Sequence, residues 1–317
     1  MIRLLTFVFA SFVAVIATAA PTSLDANKLR LLSANAVVLD AADGQSIYAK
    51  AADEVTPIAS LTKLMTAMVV LDARLPGDEA LAVDMDDFDY LKGSHSRLRM
   101  GATLSRDEML RLALMASENR AASALSRHYP GGASAFIKAM NAKAAALGMT
   151  STHFEDPTGL TPRNVSTAND LARMVRAAAE YPLIREYSTT PAHYVEVQGT
   201  GQTLGYNNSN GLVKNTAWDI QLQKTGYIRE AGRCVVMLAT IGSRPIVIVL
   251  LDSLGKYSRI GDAQRIKHWL ETGESLPAAA LRPAAAVRPA ALRPAGVKGV
   301  FNPVKPAKNT QAKLAAR

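Results

Sequence analysis

Ile58-Ala59-Ser60-Leu61-Thr62-Lys63-Leu64-Met65-Thr66-Ala67-Met68 is the stretch from which the rest of the chain is read. Thr56-Pro57 before it reads as a helix entry, because proline is tolerated in a first helical turn where its missing N–H is not needed. Leu61, Leu64, Met65 and Met68 then recur at i, i+3, i+4 and i+7, one apolar face of an amphipathic helix. Ser60, Lys63 and Ala67 form the neighbouring strip. Side chains three apart on a helix are neighbours, so the Lys63 amine can reach the Ser60 hydroxyl. A serine hydroxyl is a weak nucleophile until a base takes its proton, and a lysine whose pKa is lowered by burial can serve. Ser60 near a helix N-terminus also has oriented N–H groups close by. The tetrad alone reads as a solvated serine and lysine on a core helix.

Outward from this helix, the chain divides by composition. Met1-Ile2-Arg3, an apolar run from Leu4 to Ala17 and the small residues Ala17-Thr18-Ala19-Ala20-Pro21 form a secretory signal pattern. Cleavage is expected near Ala19 or Ala20, giving segment 1–20. The alternative, an uncleaved anchor, meets an apolar run short of the roughly 20 residues that span a bilayer. The net charge of +9 belongs mostly to residues 277–317, a Pro/Ala-rich tail with eight Lys and Arg and no acid. Repeats of Leu/Val-Arg-Pro-Ala there argue for an extended, disordered segment. Arg3 accounts for the remaining charge, so the body, residues 21–276, is neutral. The tail's only aromatic residue is Phe301, so base stacking is poorly supplied and nucleic acid is not an expected partner. It reads as a solvated linker or as a weak electrostatic contact with anionic envelope surfaces. Cys234, the single cysteine, lies in an apolar run and is expected buried and inert. The five histidines have no ligand spacing such as His-x-x-x-His, which argues against a zinc peptidase, so neither metal nor cofactor is expected.

Within the body, Asn35 to Asp40 and Gln45 to Ala49 read as strands joined by the turn Ala41-Ala42-Asp43-Gly44. Residues 78–101 carry no clear period. Ser105-Arg106-Asp107-Glu108 resembles a capping box opening a helix through Met115, which breaks at Ala116-Ser117-Glu118-Asn119. Helices follow from about Arg120, from 133 to 147 and from Thr167 to Tyr181, with Pro182 beyond the last and a punctuated loop from His153 to Asn164 between them. Residues 190–220 suggest a strand and a Gly/Asn-rich loop. Strands are then expected over Gln221 to Ile228, Arg233 to Ile241 and Pro245 to Leu251, and a closing helix over Tyr257 to Thr272. This order implies an α+β fold in which first and last strands share one antiparallel sheet, with a helical lobe inserted between them.

Two further stretches bear on Ser60. Ser117-Glu118-Asn119 sits at a helix break, where side chains can point into a cleft, and Lys224-Thr225-Gly226 lies in an expected strand. Ser-x-x-Lys, Ser-x-Asn and Lys-Thr-Gly in that order, on helix, loop and strand, form the motif set of penicillin-binding proteins and class A β-lactamases. With Asp156-Pro157-Thr158-Gly159-Leu160 and Lys224-Thr225-Gly226-Tyr227, the chain from about 30 to 275 resembles the low-molecular-mass penicillin-binding proteins, serine D-alanyl-D-alanine peptidases of peptidoglycan.

The resemblance implies the β-lactamase-like fold, export to the periplasm, peptidoglycan peptides as substrates and covalent inhibition by β-lactams. It implies that Ser60 attacks the D-Ala carbonyl to form an acyl-enzyme, that Lys63 accepts its proton and that Ser117 relays a proton to the departing amine. Asn119 would hydrogen-bond the substrate and steady Lys63, and Lys224 and Thr225 would bind a substrate carboxylate. Gly226 would let substrate lie along the strand edge, and the N–H groups of Ser60 and Tyr227 would form the oxyanion hole. Lys63 and Lys224 facing one cleft would lower each other's pKa. The expected reaction is endopeptidase cleavage of D-alanyl cross-bridges, with carboxypeptidase action on uncrosslinked stems as the near alternative. A penicillin-binding sensor or scaffold without turnover is the alternative from another class. A β-lactamase would need a carboxylate such as Glu155 to activate water; its surroundings lack Glu-x-x-Leu-Asn, and Glu155 reads as a turn residue.

Overall fold

The computed structural model describes residues 24–255 and 257–277, so the signal pattern over 1–20 and the tail beyond Pro277 lie outside the described residues. Five strands, β1 (Ser33–Asp40), β2 (Ser46–Lys50), β9 (Asp219–Ile228), β10 (Gly232–Ile241) and β11 (Arg244–Ser253), form one sheet in the order β2-β1-β11-β10-β9. Every neighbouring pair is antiparallel. First and last strands thus share the sheet, as the element order implies.

The apolar runs of β10 and β11 show no polar alternation because both sheet faces are covered. Val236, Leu238, Val247 and Val249 pack toward the helical lobe. Val235, Met237, Ile246 and Ile248 pack toward Ala263, Ile266 and Trp269 of the closing helix α7 (Ser258–Thr272). Successive side chains on a strand point to opposite faces, so one run serves two cores. Gly242 and Ser243 both have positive φ, +56° and +64°, as a two-residue hairpin turn of type I′ requires.

Between β2 and β9 lies the lobe: α1 (Thr62–Asp72), α2 (Arg106–Met115), α3 (Asn119–Arg127), α4 (Gly132–Ala146), α5 (Ala168–Ala179) and α6 (Pro182–Thr189). Packed against α2, α3, α4 and α5, α1 is buried on all sides from Thr62 to Val70 rather than on one face only. A helix at the centre of a lobe has no solvent face, so its polar members must find partners inside.

Five expectations are corrected. Thr56–Pro57 is not a helix entry but a short strand, β3, paired with β6 (Val165–Ser166). Ile58 N–H next donates to the Asn164 carbonyl, and the chain enters α1 through a tight helical turn at Ala59–Leu61. Residues 78–101 are ordered around β4 (Ala80–Ala82), which pairs with β5 (Thr103–Ser105), and an Arg127–Asp87 ion pair of 2.8 Å. Pro182 opens α6 instead of merely following α5, since proline suits a first helical turn. Residues 192–207 form a hairpin, β7 (Ala192–Val197) with β8 (Gln202–Asn207). The Ser105 hydroxyl accepts from Glu108 N–H, but Glu108 pairs its carboxylate with His193 at 2.8 Å and leaves the box open.

Candidate active site

Ser60 is half-buried in the turn leading into α1, and two glycines fix its backbone from opposite sides. Gly159 has φ +81°, and a Cβ there would lie 2.0 Å from the Ala59 carbonyl oxygen, so the loop rests directly on the peptide before Ser60. A Cβ on Gly226 of β9 would lie 3.0 Å from Ile58 O and 3.2 Å from Ser60 N. The bare position in Lys224-Thr225-Gly226 therefore first lets the strand approach the Ser60 turn. Ala59 and Ser117 themselves have φ of +49° and +62°. For residues with side chains such backbone costs of order 1–3 kcal/mol and persists only where surrounding packing enforces it.

Lys63 is fully buried, and its Nζ donates to three acceptors: Ser60 Oγ at 2.9 Å, Asn119 Oδ1 at 2.7 Å and the Thr158 carbonyl at 2.7 Å. Asp156 shapes the loop that brings Thr158 there, its carboxylate accepting from Gly159 N–H at 2.6 Å and Thr161 N–H at 2.9 Å. Thr66 Oγ1 donates to the Pro157 carbonyl at 2.6 Å and ties that loop to α1. Burial lowers the Lys63 pKa to about 7, against the opposing pull of the Asp156 and Glu118 carboxylates. With an amine near neutrality, two N–H groups can bond Asn119 and Thr158 while the lone pair faces the Ser60 hydroxyl.

Ser117 and Asn119 flank the start of α3, and both line one cleft of about 720 Å³ with Ser60, Thr225, Gly226 and Tyr227. Asn119 Nδ2 donates to Ser94 Oγ at 2.9 Å, so the residue that holds Lys63 is itself held. Ser94 belongs to the segment without sequence periodicity and also lines the cleft.

Lys224 differs from the sequence-based expectation. It is fully buried beneath the cleft and does not line it; its Nζ donates to the Thr225 carbonyl at 2.9 Å. Burial comes first in lowering its pKa well below the usual value, and repulsion from Lys63 and Arg259 lowers it further. Arg259 on α7 does line the cleft, and its guanidinium donates to the carbonyls of Gly226 at 2.9 Å and Cys234 at 3.2 Å. Thr225 bonds its hydroxyl to Ser209 at 2.8 Å. Nothing in the sequence singled out Ser94, Ser209 or Arg259. Cys234 is buried, which pushes its thiol up to about 12.

Among known proteins, the Peptidase S11 family model, described as D-alanyl-D-alanine carboxypeptidase, matches residues 21–255. The D-alanyl-D-alanine endopeptidase of Pseudomonas aeruginosa is 51% identical over 252 residues, 79% of this chain and 81% of that protein. The chain belongs to the S11 family of D-alanyl-D-alanine peptidases. Solved structures agree with the S11 assignment. The Streptomyces K15 DD-transpeptidase superposes with a TM-score of 0.72 at 29% identity, covering 77% of this chain and 98% of that one. Penicillin-binding protein D2 of Listeria monocytogenes in its ampicillin-bound form gives 0.66 at 29% identity, covering 76% and 98%. In this S11 chain Glu155 forms an ion pair with Arg163 and is not among the residues that line the cleft.

Proposed function

We propose that this protein is a serine D-alanyl-D-alanine endopeptidase that cleaves peptide cross-links of peptidoglycan through an acyl-enzyme on Ser60. Lys63 accepts the Ser60 proton as Oγ bonds to the D-alanyl carbonyl carbon. The C–N bond then breaks, Ser117 passes a proton to the departing amine, and water releases the acyl group. The N–H groups of Ser60 and Tyr227 bind the carbonyl oxygen as it gains charge. Asn119 and Thr158 hold Lys63, and the substrate lies along the β9 edge at Thr225 and Gly226. Lys224 and Arg259 supply positive charge for a substrate carboxylate, Lys224 from beneath the cleft floor.

The observation that carries this reading is the 2.9 Å contact between Ser60 and a buried lysine of pKa about 7. The name of the P. aeruginosa relative supports endopeptidase action over carboxypeptidase action. Fluorescent penicillin should label the wild type covalently and leave Ser60→Ala unlabelled; labelling that survives the substitution places the nucleophile elsewhere. Product analysis on cross-linked muropeptides and on pentapeptides separates the two bond preferences, with cross-links expected to be cut faster. Nitrocefin turnover should be slow, because Glu155 is engaged by Arg163 away from the acyl group.

A periplasmic location rests on the sequence pattern of residues 1–20; among the described residues no helix is long and apolar enough to cross a membrane. The attraction of the basic tail to anionic envelope surfaces is tested by truncation at Pro277, which should reduce sacculus binding at low salt.

A further inference from the structure

Among the residues that line the cleft is a partly exposed ion pair, Lys92 with Glu230. Lys92 Nζ lies 2.6 Å from Glu230 Oε1, both side chains are partly exposed, and both line the cleft that holds Ser60. The partners come from opposite walls and are held by their own neighbourhoods. Around Lys92, the Asp89 carboxylate accepts from the N–H groups of Leu91, Lys92 and Ser94 at 2.8–2.9 Å. Glu230 sits in the turn between β9 and β10, whose register is fixed by the pairing of Ile228 with Gly232. An exposed pair of this kind contributes about 0–1 kcal/mol, so exchanging it for another pair of charges costs little.

The direction of the cleft relates this pair to substrate. Toward its start, the β9 edge is covered by α6, where the Ser188 hydroxyl accepts from Gln223 N–H. From Thr225 onward the strand and its turn line the cleft, through Tyr227 and Ile228 to Glu230. A peptide added antiparallel to β9 with its reactive carbonyl at Ser60 runs its N-terminal side in that direction, at about 3.3 Å per residue. Leu91, Tyr227 and Ile228 offer apolar walls for methylene groups on the way.

We propose that Lys92 and Glu230 form a specificity subsite for a long side chain ending in both a carboxylate and an ammonium, borne by the residue before the acylating D-alanine. The carboxylate takes the place of Glu230 on Lys92, and the ammonium takes the place of Lys92 on Glu230. This subsite rests on the Ser60 reading above.

The test compares kcat/KM for release of D-alanine from peptides ending in X-D-Ala-D-Ala, with X as diaminopimelate, its side-chain N-acetyl derivative, lysine or norleucine. The wild type should prefer diaminopimelate over each of the other three by about tenfold, the scale of one charge-assisted hydrogen bond. Lys92→Met should erase the preference over lysine, which lacks only the carboxylate. Glu230→Gln should erase the preference over the N-acetyl peptide. Each ratio is internal to one variant, so a partly unfolded preparation does not imitate the result. Equal rates for all four peptides in the wild type, or a preference that survives both substitutions, overturn the subsite. If wild-type protein neither labels with penicillin at Ser60 nor releases D-alanine from any peptide, the peptidase reading itself has failed, and the subsite with it.

Discussion

The two faces of the sheet handle buried charge in opposite ways. Under α7, the Asp262 carboxylate accepts from Leu32 N–H, Ser33 N–H and the Ser33 hydroxyl at 2.6–3.0 Å and pairs with Arg265 at 2.7 Å. At the cleft, two fully buried lysines and a half-buried arginine crowd together with neutral acceptors as their hydrogen-bond partners. The desolvation cost is of the same kind on both sides. Beneath α7 an opposite charge offsets it and the result is a fixed joint between the start of β1 and α7. At the cleft, nothing of opposite sign bonds the amines, so their pKa values fall instead. A buried cation without a counter-ion is thereby a base.

The largest expected effect breaks the α7 side. Asp262→Ala leaves Arg265 buried without its partner and should cost about 3–5 kcal/mol in chemical unfolding. Penicillin labelling per folded molecule should remain, because Ser60 and Lys63 make no hydrogen bond to that joint; loss of labelling in the folded fraction would mean that the two faces are coupled through α7. Next, Gly159→Ala tests the support beneath Ser60. Its Cβ would meet the Ala59 carbonyl at 2.0 Å in a backbone region costly for alanine. Acylation should slow about 100-fold, near 3 kcal/mol of barrier, with a smaller loss of stability.

Lys224→Met sharpens the contrast from the cleft side. Removing a buried amine repelled by Lys63 and Arg259 should stabilise the protein by about 1 kcal/mol, or 2–4 °C in Tm, while abolishing peptidase activity. The sign follows from proton uptake. The folded protein holds the Lys224 proton less tightly than the unfolded chain does, so wild-type stability rises with pH toward the ordinary lysine value. The advantage of the methionine variant should therefore shrink in alkali; a constant advantage would assign the gain to packing.

The smallest effect concerns Lys63. Acylation by benzylpenicillin should increase with pH through about 7, as the amine loses its proton, and then level. Glu118 pulls that pKa upward, so Glu118→Gln should move the rise to lower pH. A rise that stays in place would show that the carboxylate does not reach the amine.

The sheet and the three motifs were legible because their residues announce themselves locally: unbroken apolar runs, a serine and lysine one turn apart, a serine at a helix break. What holds them was not. Thr158 contributes a backbone carbonyl, which any residue type would supply, so its contact with Lys63 depends on the path of the loop alone. Arg259 reaches Gly226 from a helix that begins after the last strand, and no pattern distinguishes it from other arginines on exposed helices. Ser94 lies where turn-forming Asp89 contacts, rather than any period, determine the chain course. The position of Lys224 went astray for a related reason: a strand residue's identity does not tell which face the cleft will open on. Pro182 was ambiguous in principle, since proline both follows helices and starts them.

The pairing of β1 with β11 aligns Asp40 with Ile246 and Ser33 with Ser253, residues about two hundred positions apart. Closing so long a loop is entropically slow, and the contacts that reward it come only when almost the whole body is present. The helical lobe can gather earlier around α1, but the groove has its second wall only once β9 docks on β10. Competence for acyl transfer should therefore arrive as the final step of folding, with no half-made hydrolase active on the way.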